Sequence, residues 1–243
     1  MPLLVGHVRD LIRHPVKSFT GEHVNETSIM PYGLYGDRSH AYLDETRPGK
    51  FLTITQAPQM ASYKAYFSGP DQFDTYPKTI VWTPDGRQMK WNDPALLDEL
   101  EAVSGRKISP VSYTPECVPI GPIEKEHILL ITDASIEALA DKWGKPLDYR
   151  RFRPNLVLAL KEKHAFTEEA WLGGRLLIGD TVELSINLSC DRCMIITVDP
   201  PTGEKDASLL KLVAGSRQNH FGVYCSVVKT GLIRTGDAVR LVM

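Results

Sequence analysis

The chain keeps returning to short runs of β-branched and aromatic residues, each closed by glycine, proline or asparagine, and this pattern limits it to a β-rich fold. In the first hundred residues the runs fall at 5–12, 22–30, 39–43, 61–67 and 79–83. In the second half they recur at 156–160, 175–178, 181–186, 194–198, 223–228 and 239–243. The sharpest turn is Pro31-Tyr32-Gly33-Leu34-Tyr35-Gly36-Asp37, where two glycines bracket a tight excursion. Gly179-Asp180 and Gly236-Asp237 each precede a valine-led strand, as at the corners of a barrel.

Two helices interrupt the strands. Asp93 caps the first, Pro94 suits its opening position, Leu97, Leu100 and Val103 share a face, and Gly105 ends it. Thr132 or Asp133 caps the second, with Ile136, Leu139, Ala140 and Trp143 as its apolar stripe and Gly144 as its stop. A shorter helix is expected at 208–213. The fold class is therefore mostly β with a few helices. Four prolines between 110 and 126 mark the division, giving expected domains at 1–115 and 116–243.

Composition excludes several functions. A chain of 243 residues with 42% hydrophobic and 24% charged residues is an ordinary globular protein with room for a real core. Its net charge of −2 and lack of a basic run argue against nucleic acid as a partner. No apolar run approaches the roughly 18 residues of a membrane-spanning helix, and the N-terminus is not a signal peptide. Four cysteines, two of them in a C-x-x-C pair, fit a reducing compartment and a cytoplasmic location.

That pair, Ser189-Cys190-Asp191-Arg192-Cys193, is the strongest local chemical signal. A thiolate suits thiophilic metals, and Arg192 beside Cys193 is placed to favour one. Two buried thiols at a strand are the plainer alternative. Zinc is disfavoured because Cys117 and Cys225 are isolated and no paired histidines accompany them. A thioredoxin-like motif would open a helix, whereas this pair is expected to lead into a strand.

Cations form the second signal. Tyr149-Arg150-Arg151-Phe152-Arg153-Pro154-Asn155 holds three arginines in four residues, suited to a flat anion or to a solvated face. Pro154 points to an extended presentation. Lys17-Ser18, Gly36-Asp37-Arg38 and Thr53-Ile54-Thr55-Gln56 are individually commonplace, and Asn219-His220-Phe221-Gly222 is a candidate pocket lining.

Taken together and in order, these segments resemble the MOSC-domain family in its two-part form, an N-terminal β-barrel-like domain followed by the MOSC domain. The marks are His14-Pro15-Val16-Lys17-Ser18, Gly33-Leu34-Tyr35-Gly36-Asp37-Arg38, Thr55-Gln56, Arg151-Phe152-Arg153-Pro154-Asn155, Cys190-Asp191-Arg192-Cys193, Thr197-Val198-Asp199-Pro200 and Phe221-Gly222-Val223-Tyr224. The chain is similar to the amidoxime-reducing components and their bacterial relatives.

The resemblance implies a molybdenum cofactor (molybdenum–molybdopterin), with Cys193 as catalytic residue and metal ligand. Lys17, Ser18, Arg38, Thr55, Gln56, Arg151, Arg153, Asn155, Asp191 and Arg192 are the cofactor-binding set it implies. It also implies reduction of N-hydroxylated compounds as small-molecule substrates, with electrons from a separate donor protein carrying flavin, haem or iron–sulfur. The alternative is a non-catalytic carrier of the pterin or of sulfur as a persulfide on Cys193. Asp191 and Phe19 depart from the residues expected at their positions.

Overall fold

A computed structural model describes residues 1–123 and 125–243. Seven strands close into a barrel: Leu3–Arg13, Leu156–Leu160, Ile128–Thr132, His220–Lys229, Val182–Asp191, Arg175–Ile178 and Ala238–Val242, the last pairing back onto the first. The barrel thus draws its first strand from the opposite end of the chain. All neighbours are antiparallel except Ile128–Thr132 with Leu156–Leu160. A parallel pair needs a crossover, and the helix Asp133–Trp143 supplies it. Inward-facing Leu11, Ile128, Leu130, Leu158, Leu184 and Val239 form one buried cluster inside the ring.

A second core lies against the barrel's flank. The meander Lys64–Phe67, Thr79–Trp82 and Gln88–Lys90, the pair His40–Asp44 with Ile108–Ser112, and the helix Pro94–Ser104 enclose Phe19, Tyr42, Met60, Val81, Leu96 and Leu100. Both long helices end where local chemistry says they should. Asp93 accepts from the Ala95 amide and Thr132 from the Ser135 amide, while Gly105 and Gly144 take left-handed conformations that a side chain would strain.

Several expected elements differ. The run at 22–30 breaks at Asn25 into Glu22–Val24 and Glu26–Met30, because the second piece turns away to pair with Gly231–Arg234. The run at 61–67 begins only at Lys64, its first residues belonging to a 3-10 turn at Pro58–Ser62. The helix expected at 208–213 extends over Ala207–Arg217, capped by Asp206.

Two corrections bear on the site. Residues 194–198 are not a strand. Met194–Thr197 is a 3-10 turn with Cys193 at its N-cap, so the C-x-x-C pair leaves a strand rather than entering one. Its Ile-Ile core carries no period that distinguishes a short turn from a strand. Nor is the arginine cluster extended: Tyr149–Phe152 is a 3-10 turn capped by Asp148. Proline disfavours the right-handed helical region for the residue before it, and Arg153 escapes at φ 56°, in the left-handed region.

His40 sits at the seam of the second core, with its Nδ1 2.9 Å from the Ser39 hydroxyl and its ring 4.6 Å from that of Trp91. Burial pushes its imidazole down to about 4 from the ordinary 6.5. The unfolded chain therefore takes up a proton that the folded chain refuses, and stability present above pH 6.5 is lost as pH falls towards 4. At about 1.4 kcal/mol per pK unit the loss is on the order of 3 kcal/mol. Urea unfolding of wild type and His40→Gln should show a gap that changes by that amount between pH 7 and pH 4. A gap independent of pH contradicts the assignment.

Candidate functional site

One cavity of ≈ 250 Å³ is lined by Lys17, Ser18, Arg38, Arg153 and Asn155, by Cys190, Asp191, Arg192 and Cys193, and by Thr53 and Thr55. Three of the cationic-side residues hold backbone conformations that side chains rarely adopt: Ser18 at φ 74°, Arg38 at φ 52° and Arg153 at φ 56°. Each costs on the order of 1 kcal/mol or more, and such residues persist only where the surroundings over-determine them. Their clustering around one cavity is the mark of a site.

The surroundings here are a buried polar network. The Arg38 guanidinium is ion-paired with the fully buried Asp37 carboxylate and donates to the Arg153 carbonyl at 3.3 Å and the Asn155 side-chain oxygen at 3.4 Å. Asp37 also accepts from the His14 amide at 2.7 Å. Arg153 donates to the Phe19 carbonyl at 2.9 Å and meets His14 Nδ1 at 3.2 Å. Asn155 accepts from the Leu129 amide and donates to the Ile12 carbonyl, pinning the segment to two barrel strands. Burial, with Arg153 and Arg38 beside it, holds the His14 imidazole well below its usual range and hence neutral. Its Nδ1 then accepts from Arg153, which places the proton on Nε2. Lys17 Nζ donates to the Pro122 carbonyl at 2.9 Å, a contact that bridges the two ends of the expected domain division.

Across the cavity the two thiols are unequal. Cys190 is buried and Cys193 exposed. Arg192 lies over the Phe152 ring, donating to the Cys190 sulfur at 2.6 Å and to the Phe152 carbonyl at 2.7 Å. The charge expected to act on Cys193 is therefore committed to its neighbour, and this corrects the sequence reading. Asn219 braces the same loop, its side chain donating to the Arg192 carbonyl at 2.6 Å. Asp191 points to the rim, 2.9 Å from both Lys125 Nζ and His220 Nε2, and Lys125 holds its carboxyl below the usual range.

Two expected cofactor residues are not on the wall. Arg151 turns away to pair with Asp199 at 2.6 Å and to donate to the Thr197 carbonyl, anchoring the turn after Cys193. Gln56 folds back to accept from the Thr53 hydroxyl at 2.7 Å, leaving Thr55 at the cavity. Conversely, Asp37, His14, Cys190 and Lys125 matter to this geometry. Asp37 and His14 stood inside recognisable segments with no signal of burial, Cys190 stood in a pair for which burial was one of the two readings, and Lys125 carried no signal.

The donor set bears on what the cavity can hold. Among the described residues no three His, Cys, Asp or Glu side chains converge on one point, so no bare metal ion finds a cage there. A metal at Cys193 must bring most of its own ligands. A metal already held by the sulfurs of a pterin meets that requirement, and the cationic wall suits the phosphate such a pterin carries.

Fold and site together define a β-barrel protein with one cavity lined by an exposed thiol and several cations. The MOSC domain profile matches residues 115–240, and the profile of the MOSC N-terminal beta barrel domain matches residues 5–80. The chain belongs to the MOSC-domain family. It is 36% identical over 292 residues to mitochondrial amidoxime reducing component 2 of Homo sapiens, spanning 97% of this chain and 83% of that one. It is 28% identical over 281 residues to mitochondrial amidoxime-reducing component 1 of Danio rerio, spanning 97% and 84%. The crystal structure of the YuaD protein from Bacillus subtilis shares the fold, with a TM-score of 0.52 at 12% identity over 99% and 98% of the chains. No helix among the described residues is long and apolar enough to cross a membrane.

The inequality of Cys193 and Arg192 yields a stability contrast. Arg192→Ala strands a buried carbonyl and opens a void, and should cost about 1–3 kcal/mol. Cys193→Ser changes an exposed atom and should stay within about 0.5 kcal/mol of wild type. Denaturant unfolding of both variants checks this, and equal losses contradict it.

Proposed function

We propose that this protein is a molybdenum-dependent reductase of N-hydroxylated compounds such as amidoximes. The observation that carries the reading is that the exposed Cys193 thiol and the left-handed residues Ser18, Arg38 and Arg153 line one cavity. Cys193 is the protein's ligand to the metal. Lys17, Ser18, Arg38, Arg153 and Asn155 hold the pterin and its phosphate, with Thr55 at its edge. Arg151, Gln56 and Arg192 act one step back, by fixing the segments that carry the contacting groups.

When bound, the molybdenum–pterin group supplies two-electron redox chemistry at the Cys193 end of the cavity. The net reaction breaks the N–O bond of the substrate, consumes two electrons and two protons, and releases the amidine and water. The electrons come from a separate donor protein carrying flavin, haem or iron–sulfur. The chain's own contribution is positional. The buried Arg38–Asp37 pair keeps the cationic wall in place before the cofactor arrives, so little ordering is left for binding. The Cys190–Arg192–Phe152 bracket fixes the backbone that presents Cys193.

With benzamidoxime and chemically reduced methyl viologen as electron source, wild type should form benzamidine and Cys193→Ser should not. Arg38→Gln should retain at least about tenfold less pterin, since a charge-assisted hydrogen bond is lost. Turnover by Cys193→Ser overturns the reading. Wild type that holds pterin yet stays inert with every donor supports the carrier function instead.

A further inference from the structure

We propose that the N-terminal half carries a second small-molecule site, which binds a planar aromatic ring bearing one anionic group. The cleft lies where the strands Thr79–Trp82 and Gln88–Lys90 meet the end of the strand Ile108–Ser112. Its volume of ≈ 410 Å³ exceeds the ≈ 250 Å³ of the Cys193 cavity, and falls within the roughly 300–1,000 Å³ typical of ligand sites. The two cavities share no lining residue: Arg38 walls one and His40, two residues on, lines the other.

Three half-buried rings, Tyr76, Trp91 and Tyr113, line this cleft. Two of them are fixed from behind. Tyr76 stacks on Phe67 at 5.4 Å and its hydroxyl donates to the Thr114 carbonyl at 2.9 Å, while Trp91 stands edge-on to His40 at 4.6 Å. Rings held this way offer stacking area to a ligand at little entropic cost.

The charge is equally ordered. Ile80 pairs with Lys90 across the sheet, and Lys78 immediately precedes the strand Thr79–Trp82, so the two lysines stand at the same end of the meander. Neither lysine takes part in an ion pair among the described residues, and both line the cleft. Asp74 lines it too, so two positive charges and one negative leave a net single positive charge that suits a monoanion. The hydroxyls and amide of Thr75, Ser112, Thr114 and Asn92 provide further hydrogen-bonding groups.

Calorimetric titration with 2-naphthoate tests this without reference to the cofactor. Saturable binding is expected with Kd below about 1 mM, and at least about tenfold weaker binding for neutral 2-naphthalenemethanol and for acetate. The double variant Lys78→Gln/Lys90→Gln, changed only at exposed side chains, should lose at least about tenfold in affinity, while Arg38→Gln should lose none. Adenosine 5′-monophosphate is titrated in parallel. Tighter binding of this nucleotide, with the same dependence on the two lysines, keeps the site and makes the anionic group a phosphate. No saturable binding of either probe, or binding weakened by Arg38→Gln rather than by the lysine variant, overturns the proposal.

Discussion

The arrangement of the cavity depends on one buried interaction, the ion pair of Arg38 with Asp37. It gathers segments distant in sequence: the 14–19 loop through the His14 amide, the 153–155 segment through the Arg153 carbonyl and Asn155, and the turn that carries Arg38 itself. A buried pair contributes little net stability, because desolvation offsets most of the attraction. Its value lies in geometry. With Asp37 neutralising one arginine and carbonyl oxygens engaging both, two guanidinium groups and their left-handed backbones can stand together beside an open cavity without mutual repulsion expelling them.

The opposite wall uses the same device in a different form. Arg192 is buried, yet it pairs with no carboxylate among the described residues; it spans a thiol, a carbonyl and an aromatic face. Cys193, by contrast, is exposed at the cavity. The two walls meet through strands from both ends of the chain, since Leu3–Arg13 closes the barrel and leads directly into the loop that bears Lys17 and Ser18. Barrel and cavity are therefore one construction, since the first strand pairs with Leu156–Leu160 just before the loop that bears Lys17 and Ser18.

Local rules made much of this legible in the sequence. The caps at Asp93 and Thr132 and the stops at Gly105 and Gly144 were readable because each depends on a few adjacent residues. Six of the seven barrel strands were readable from apolar and β-branched runs, whereas Ile128–Thr132, a short apolar run with no period of its own beside the helix Asp133–Trp143, was missed. What failed was set by distant partners. Met194–Thr197 is apolar in either a strand or a turn, and the contacts that hold the turn, the Arg151 bond to the Thr197 carbonyl and the packing of Ile196, come from distant residues. Arg150, Arg151 and Arg153 are near neighbours in sequence, yet Arg150 bonds Asp148, Arg151 anchors the turn beyond Cys193, and only Arg153 reaches the cavity. No spacing rule separates those three roles. Nor does sequence order reveal that Arg192 serves Cys190 rather than Cys193, which is a matter of which way one side chain folds over Phe152.

The proposed chemistry of the cavity turns on Cys193 as the protein's hold on a metal–pterin group. The most direct test is elemental mass spectrometry for molybdenum, with pterin fluorescence after oxidation, on wild type and Cys193→Ser made in a host that synthesises the cofactor. Near-stoichiometric metal in wild type, lost in a variant that remains folded, is the expected result. Metal retained by Cys193→Ser at the wild-type ratio would contradict the assignment of the ligand and, with it, the proposed chemistry of the cavity.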